Sequence, residues 1–141
     1  MGEAPRIATT DAEIEACFPV MKELRTHLDE REFLARIRMQ QRQGYELAYI
    51  AVGGRPVALA GFRVGENLAW GRFLYVDDLV TAAEHRSRGY GAALLRWLCE
   101  VAKERGCREL HLDSGVQRAD AHRFYRREGM EVSSYHFKKA L

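Results

Sequence analysis

The sequence predicts an α/β protein in which helices flank a mixed sheet, and two observations support this class. Apolar residues recur every three or four positions up to about residue 40, and strand-like segments follow. Further on, a strand, a helix and another strand succeed one another over residues 72–114, which requires a crossover in the sheet. The 141 residues contain no repeat and no Pro- or Ser-rich linker, so we expect one domain over residues 1–141.

The first third of the chain is predicted to hold one strand and two helices. PRIAT is the strand candidate, and Thr10 with Glu13 has the spacing of a helix capping box. The apolar face of the helix that follows consists of Ile14, Cys17, Met21, Leu24 and Leu28. Asp29 predicts the start of a second helix, which ends near Gly44.

The remaining elements are predicted to be five strands and two helices. YELAYIAV and RPVALAGFRV form a hairpin around Gly53-Gly54, and RFLYVDDLVT is a third strand. A helix from about Tyr90 to Arg105 precedes the strand CRELHLDS. The helix ADAHRFYRREG and a last strand, EVSSYHFKKAL, complete the order β-α-α-β-β-β-α-β-α-β.

The composition of the chain argues against several classes of protein. The formal net charge of +2, from 22 Lys and Arg against 20 Asp and Glu, is too balanced to predict a nucleic-acid partner. Three cysteines without a CxxC pair predict free thiols, and the histidines lack metal-like spacing, so we expect no metal. No apolar run approaches a membrane span, and the N-terminal residues lack a hydrophobic signal core, so we expect a cytoplasmic protein.

A glycine turn, EHRSRGYGAALL, precedes the predicted long helix. Backbone N–H groups at a helix start have no intrahelical partner and attract anions, and glycines let the backbone approach a phosphate closely. A Walker A loop would end in Gly-Lys-Ser/Thr, and a dinucleotide fingerprint would have a third glycine where Leu94 stands. The remaining pattern, Arg86-x-x-Gly89-x-Gly91, indicates a phosphate site, with a plain turn carrying solvated arginines as the alternative.

These residues resemble the acyl-CoA pyrophosphate loop of the GNAT N-acetyltransferase superfamily, whose pattern is Arg/Gln-x-x-Gly-x-Gly/Ala. A second segment, AHRFYRREGM, is similar to the family's Ala-x-x-Phe-Tyr-x-x-x-Gly-Phe segment. The predicted element order also matches that family. The resemblance implies a GNAT-type fold of the α/β (α+β) class, with a mixed, mostly antiparallel central sheet flanked by helices, and acetyl-CoA as co-substrate.

The resemblance also implies roles for individual residues. The backbone N–H of Leu79 would stabilise the oxyanion, and Val80 and Thr81 would hold the pantetheine arm. Tyr125 would protonate the departing thiolate, although a purely structural aromatic role is the alternative. Arg118 stands where the family often has Asn, so it reaches a CoA phosphate or the contact is lost. The pyrophosphate would contact the loop residues Arg86, Ser87, Arg88, Gly89, Tyr90, Gly91 and Ala92.

Asp77 and Asp78 are unusual because two adjacent acids in a strand should point to opposite faces, placing one in a packed layer. A solvated edge position is the alternative. Polyamine and glucosamine-phosphate acetyltransferases of the superfamily carry Glu-Asp at this place, and VDDLVT is similar. The resemblance implies that these carboxylates bind a cationic amine or accept its proton through water.

The resulting hypothesis is an N-acetyltransferase that moves an acetyl group from acetyl-CoA to a primary amine, on a small cationic molecule, by direct transfer through a tetrahedral intermediate. Two alternatives stay open: a protein or peptide N-acetyltransferase, and a CoA-binding sensor without turnover. Arg25, His27 and Glu30 lie in the predicted helical region that shapes acceptor pockets in this family, but they select no substrate. The family also suggests a homodimer.

Overall fold

The computed structural model describes residues 2–141, which fall into two compact units. The larger unit ends at His111 and contains the sheet and four helices. The smaller unit, Leu112–Leu141, contains one helix. The helices are α1 Asp11–Ala16, α2 Phe18–Leu24, α3 Glu30–Gln41, α4 Tyr90–Glu104 and α5 Ala119–Arg127. The strands are β1 Arg6–Ile7, β2 Glu46–Val52, β3 Arg55–Asn67, β4 Gly71–Thr81 and β5 Glu109–Leu112.

The first predicted helix is two helices in the structure. The capping box of Thr10 and Glu13 begins α1 as predicted, but α1 ends at Ala16. Pro19 lies in the first turn of α2, where its missing N–H is tolerated, whereas in a continuous helix it would remove a hydrogen bond. The apolar face persists across the break, because Ile14, Cys17 and Met21 are all buried.

The sheet has five strands in the order β1-β2-β3-β4-β5. The first four strands pair antiparallel with their neighbours in sequence, and Gly53 and Gly54 form the predicted hairpin turn, both with positive φ. Strand β5 follows β4 through helix α4, a connection that a parallel neighbour requires. The predicted fold class is therefore confirmed: a mixed, mostly antiparallel sheet flanked by helices.

The β3–β4 ladder contains a bulge at Asp77. Gly61 pairs with Asp78 and Phe62 pairs with Val76, so one step along β3 corresponds to two steps along β4. The extra residue of β4 is Asp77. A bulge bends the strand and re-aims the side chains on either side of it.

The core of the larger unit consists of two groups of apolar side chains. One group packs α1, α2 and α3 against the sheet and includes Ile14, Phe33 and Leu59. The other includes Leu94 and Leu98 of α4, which are fully buried. Burial of each such side chain stabilises the fold by roughly 1.5–3 kcal/mol.

In the smaller unit, α5 ends at Arg127, and Gly129 follows with a φ of 90°. The predicted last strand is wrong for this structure, since no strand is assigned to residues 131–141. The apolar side chains that would anchor it are exposed, among them Tyr135 and Phe137. Without a neighbouring strand its backbone groups have no ladder partners, so the β-propensity of EVSSYHF has nothing to stabilise it.

Within residues 2–141, no helix is long and apolar enough to cross a membrane.

Candidate active site

The bulge places both carboxylates of Asp77 and Asp78 at one pocket of about 380 Å³. The pocket lies between β4, the segment after α2, and α3. The expectation that the two acids alternate faces, with one in a packed layer, is therefore wrong. Regular pleating would have separated them, and the extra residue removes that alternation.

Asp77 forms an ion pair with Arg63 of the neighbouring strand β3. The Arg63 guanidinium donates from Nη2 to Oδ2 at 2.7 Å and from Nε to Oδ1 at 3.1 Å. The hydrogen bonds that Arg63 donates to Asp77, together with the charge of that carboxylate, raise the pKa of Arg63 above its usual value despite partial burial. Such a bidentate ion pair holds the carboxylate in one orientation.

Asp78 has two donors from distant parts of the chain. Arg25 donates from Nε to Oδ1 at 2.9 Å, and the buried phenol of Tyr45 donates to Oδ2 at 2.8 Å. Arg25 also donates from Nη2 to the backbone oxygen of Asp77 at 2.8 Å, so it connects the end of α2 to the bulge. Burial, followed by the charge of Asp78, raises the pKa of Tyr45 well above its usual value, which keeps the phenol protonated and donating.

Gly61 allows this arrangement because nothing else fits at its position. A Cβ there would lie 1.9 Å from Oη of Tyr45 and 2.6 Å from Oδ2 of Asp78. The absence of a side chain on β3 thus lets Tyr45 reach the carboxylate.

The glycine turn forms a second candidate subsite, suited to an anion. Gly89 is the N-cap of α4 with a φ of 86°, and no side chain caps the helix, so its first N–H groups face outward without a side-chain acceptor. Ser87 also has a positive φ, of 62°. Arg86 and Arg88 are exposed, and Arg86 Nε approaches the backbone oxygen of Thr81 at 3.4 Å. Backbone donors and two guanidinium groups fit a pyrophosphate.

Strand β4 connects the two subsites. It continues from the bulge at Asp77 through Leu79 and Val80 to Thr81, and residues 79–81 pair with β3 on one side. The backbone N–H of Arg108 donates to the backbone oxygen of Arg72, near the start of β4, at 2.8 Å. Strand β5 has four residues against eleven in β4, so it is too short to flank the whole of that strand.

Tyr125 and Arg118 belong to the smaller unit. Tyr125 lies in α5 and is half-buried, with its ring 5.3 Å from that of Phe124. Burial raises the pKa of the Tyr125 phenol, while the positive charge of Arg118 opposes this shift. Arg118 is the exposed N-cap residue of α5. Their roles toward acetyl-CoA stay predictions that rest on the sequence pattern.

The structure adds site residues that the sequence did not indicate. Tyr45 and Arg63 hold the two carboxylates, and Arg36 lies on the pocket wall. A signal existed for Arg63, since two acids in one strand require counter-charges and the adjacent strand is the nearest source. Within residues 2–141, no cluster of three His, Cys, Asp or Glu side chains has the arrangement of a metal site.

Comparisons with known proteins identify the family. Residues 9–130 match the Acetyltransferase (GNAT) family. The chain is 38% identical over 135 residues to the uncharacterized N-acetyltransferase YhdJ of Bacillus subtilis (strain 168), covering 94% of this chain and 95% of that protein. This chain therefore belongs to the GNAT acetyltransferase family.

Two further matches are more distant. A stretch of 66 residues is 39% identical to the aminoalkylphosphonate N-acetyltransferase of Salmonella typhimurium (strain LT2), covering 47% of this chain and 43% of that protein. A solved structure of the aminoglycoside N-acetyltransferase AAC(6')-Iy in complex with CoA superposes with a TM-score of 0.86 at 14% identity, covering 100% of this chain and 95% of that one. At that identity the match supports the fold. Family and relatives together support acetyltransferase activity.

Proposed function

We propose that this protein transfers an acetyl group from acetyl-CoA to the primary amine of a small molecule. The observation that carries the proposal is the course of β4, which joins the carboxylate pocket to the anion-binding turn. From Asp78 to Thr81 the strand advances by three residues, about 10 Å at about 3.3 Å per residue. An acceptor in the pocket and a CoA arm along residues 79–81 would then meet near Leu79.

The donor subsite is assigned to the turn and the end of β4. The amides of residues 88–92, with Arg86 and Arg88, would bind the pyrophosphate. Val80 and Thr81 would pair with the pantetheine arm, and the Leu79 amide would donate to the oxyanion of the tetrahedral intermediate. The shape of the turn supports this assignment, because Gly89 holds a backbone conformation that leaves the amides of α4 open.

The acceptor subsite is assigned to the pocket with Asp77 and Asp78. An amine is protonated at neutral pH and must lose a proton before it attacks the thioester. Each carboxylate has an arginine partner, so we propose that they orient the ammonium group and pass its proton to water. Tyr125 is proposed as the acid that protonates the leaving thiolate; its raised pKa keeps the phenol protonated at neutral pH.

The name of one relative supports a small acceptor, since that protein is an aminoalkylphosphonate N-acetyltransferase. An acceptor that is cationic through its amine stays our prediction. A cytoplasmic location and a homodimer likewise stay predictions.

The experiment is a panel of primary amines offered with acetyl-CoA, with release of the free thiol as the readout. We expect at least one small amine to release thiol faster than the buffer blank, and Asp78→Asn to raise the KM for that amine while CoA affinity is retained. Thiol release that no small amine accelerates, or an Asp77→Asn/Asp78→Asn variant that turns over as fast as the parent, would contradict the proposal.

A further inference from the structure

The charges at the pocket do not cancel once Arg63, which pairs with Asp77 from outside the pocket lining, is counted with them. Each carboxylate has its own cation: Arg63 pairs with Asp77 at 2.7 Å, and Arg25 pairs with Asp78 at 2.9 Å. These two pairs together are neutral. Arg36 lines the same pocket and adds a positive charge that neither pair balances.

Arg36 has no ion pair with a carboxylate among residues 2–141. Its position follows from the period of α3, because Phe33, Arg36, Ile37 and Gln40 recur at spacings of three and four and all line the pocket. Phe33 and Ile37 are buried, whereas the arginine is exposed. An arginine on the apolar, pocket-facing side of an amphipathic helix is available to a ligand in that pocket.

The pocket is more enclosed around Asp78 than around Arg36. The side chain of Asp78 is 12% exposed, and the Tyr45 residue that contacts it is 2% exposed. His27, which can also donate an N–H, lines the pocket and is exposed like Arg36. The pocket thus combines the shielded carboxylate of Asp78, next to Leu79 on β4, with two exposed donors, Arg36 and His27.

We propose that the acceptor amine carries an anionic group, a phosphonate, phosphate or carboxylate, which binds the Arg36 guanidinium with help from His27. This inference rests on the proposed function, which places the amine near Asp78. A short chain between the amine and the anion would span the pocket, whose volume of about 380 Å³ suits a small molecule. Guanidinium binds such planar or tetrahedral anions through paired N–H donors.

The first test compares matched acceptors. 2-Aminoethylphosphonate and β-alanine would be compared with propylamine and β-alaninamide, in the parent and in Arg36→Gln. Loss of a charge-assisted hydrogen bond should lower kcat/KM by about ten- to a hundredfold for the two amines that carry an anion, and by much less for propylamine and β-alaninamide, which carry none. Arg36→Lys should retain part of the preference. Arg42→Gln, which removes an exposed arginine after the end of α3, is the matched control and should have no effect.

The second test uses binding alone, so that it does not depend on turnover. Ethylphosphonate and propionate carry an anion but no amine, and propanol is the uncharged control. Calorimetry should detect binding of an anion. Arg36→Gln should weaken this binding, and Arg42→Gln should not. The two anions separate a phosphonate site from a carboxylate site. If no amine is acetylated but the anion still binds through Arg36, the proposed function fails and the anion site stands. Equal turnover of amines with and without an anionic group, or anion binding that Arg36→Gln leaves unchanged, would overturn the inference.

Discussion

The phenol of Tyr45 donates a 2.8 Å hydrogen bond to Oδ2 of Asp78 in a place where Tyr45 is 2% exposed. Loss of a donor to a buried carboxylate destabilises the fold by more than loss of a solvent-exposed hydrogen bond, because the carboxylate oxygen cannot recover its hydration. We expect Tyr45→Phe to lower the free energy of unfolding by about 1–3 kcal/mol in urea titrations. Tyr135→Phe, at an 83% exposed tyrosine, should change it by less than about 0.5 kcal/mol. Equal effects of the two substitutions would contradict this account of Tyr45.

Gly89 and Gly106 are a matched pair at the two ends of α4. Both have positive φ, 86° and 76°, and a Cβ at either would meet no atom within 4 Å. Alanine should therefore impose the same backbone cost at each, about 1–2 kcal/mol. Only Gly89→Ala should also weaken CoA binding in calorimetry, since only Gly89 shapes the anion-binding turn. If the two folded variants bind CoA with comparable affinity, the assignment of the turn to the donor site is contradicted.

Tyr125→Phe keeps the ring and removes the phenol proton. If Tyr125 protonates the leaving thiolate, kcat should fall by about a hundredfold, the low end for a positioned acid, because a thiolate also leaves without full protonation. Folding and CoA affinity should persist. Tyr135→Phe in the same unit is the control and should retain full kcat. Burial raises the pKa of Tyr125, so the phenol stays protonated at neutral pH and its titration should not affect kcat there. If kcat is unchanged in an assay where the chemical step limits turnover, Tyr125 has only a packing role.

Protonation of Glu13 should lower the free energy of unfolding at acidic pH. Hydrogen bonds lower its pKa from 4.5 to about 2, the largest contribution coming from the Tyr49 phenol at 2.6 Å, followed by the backbone N–H groups of Thr10 and Thr9. A pKa depressed by folding means that the stabilisation is present above the unfolded value near 4.5 and is lost as the pH falls towards about 2. The difference in unfolding free energy between parent and Glu13→Gln should shrink across that window.

Urea titrations at successive pH values would measure this difference. Glu15→Gln, at an exposed glutamate of the same helix, is the control and should give a difference that changes little with pH. A Glu13 difference that stays constant from pH 6 to pH 2 would contradict the assigned hydrogen bonds.

Local signals in the sequence were reliable where a few neighbouring residues decide the structure. The capping box of Thr10 and Glu13, the Gly53-Gly54 hairpin and the start of α4 after Gly89 all depend on such short-range geometry. The break at Pro19 was missed because the apolar period continues through it. The last strand was predicted but does not form, because β-propensity has an effect only where a partner strand is present.

The pocket could be predicted only in part because its contacts connect distant residues. Asp77 and Asp78 were identified from their unusual place in a strand, but Arg25 and Tyr45 lie 53 and 33 residues from Asp78. The bulge that brings both acids to one pocket depends on the register between β3 and β4. No periodicity in a single strand encodes that register, so the arginine partners and the surplus charge of Arg36 emerge only from the structure.

Acetyl transfer from acetyl-CoA to an amine nitrogen is most directly tested by following the acetyl carbon itself. Acetyl-CoA labelled with carbon-13 at the carbonyl would be incubated with the protein and its best small amine, and the products would be identified by NMR. The account predicts an amide carbonyl on the acceptor nitrogen, formed in equal amount to free CoA thiol and strongly reduced with Gly89→Ala. Labelled acetate without amide, or tight CoA binding with the thioester intact, would contradict it.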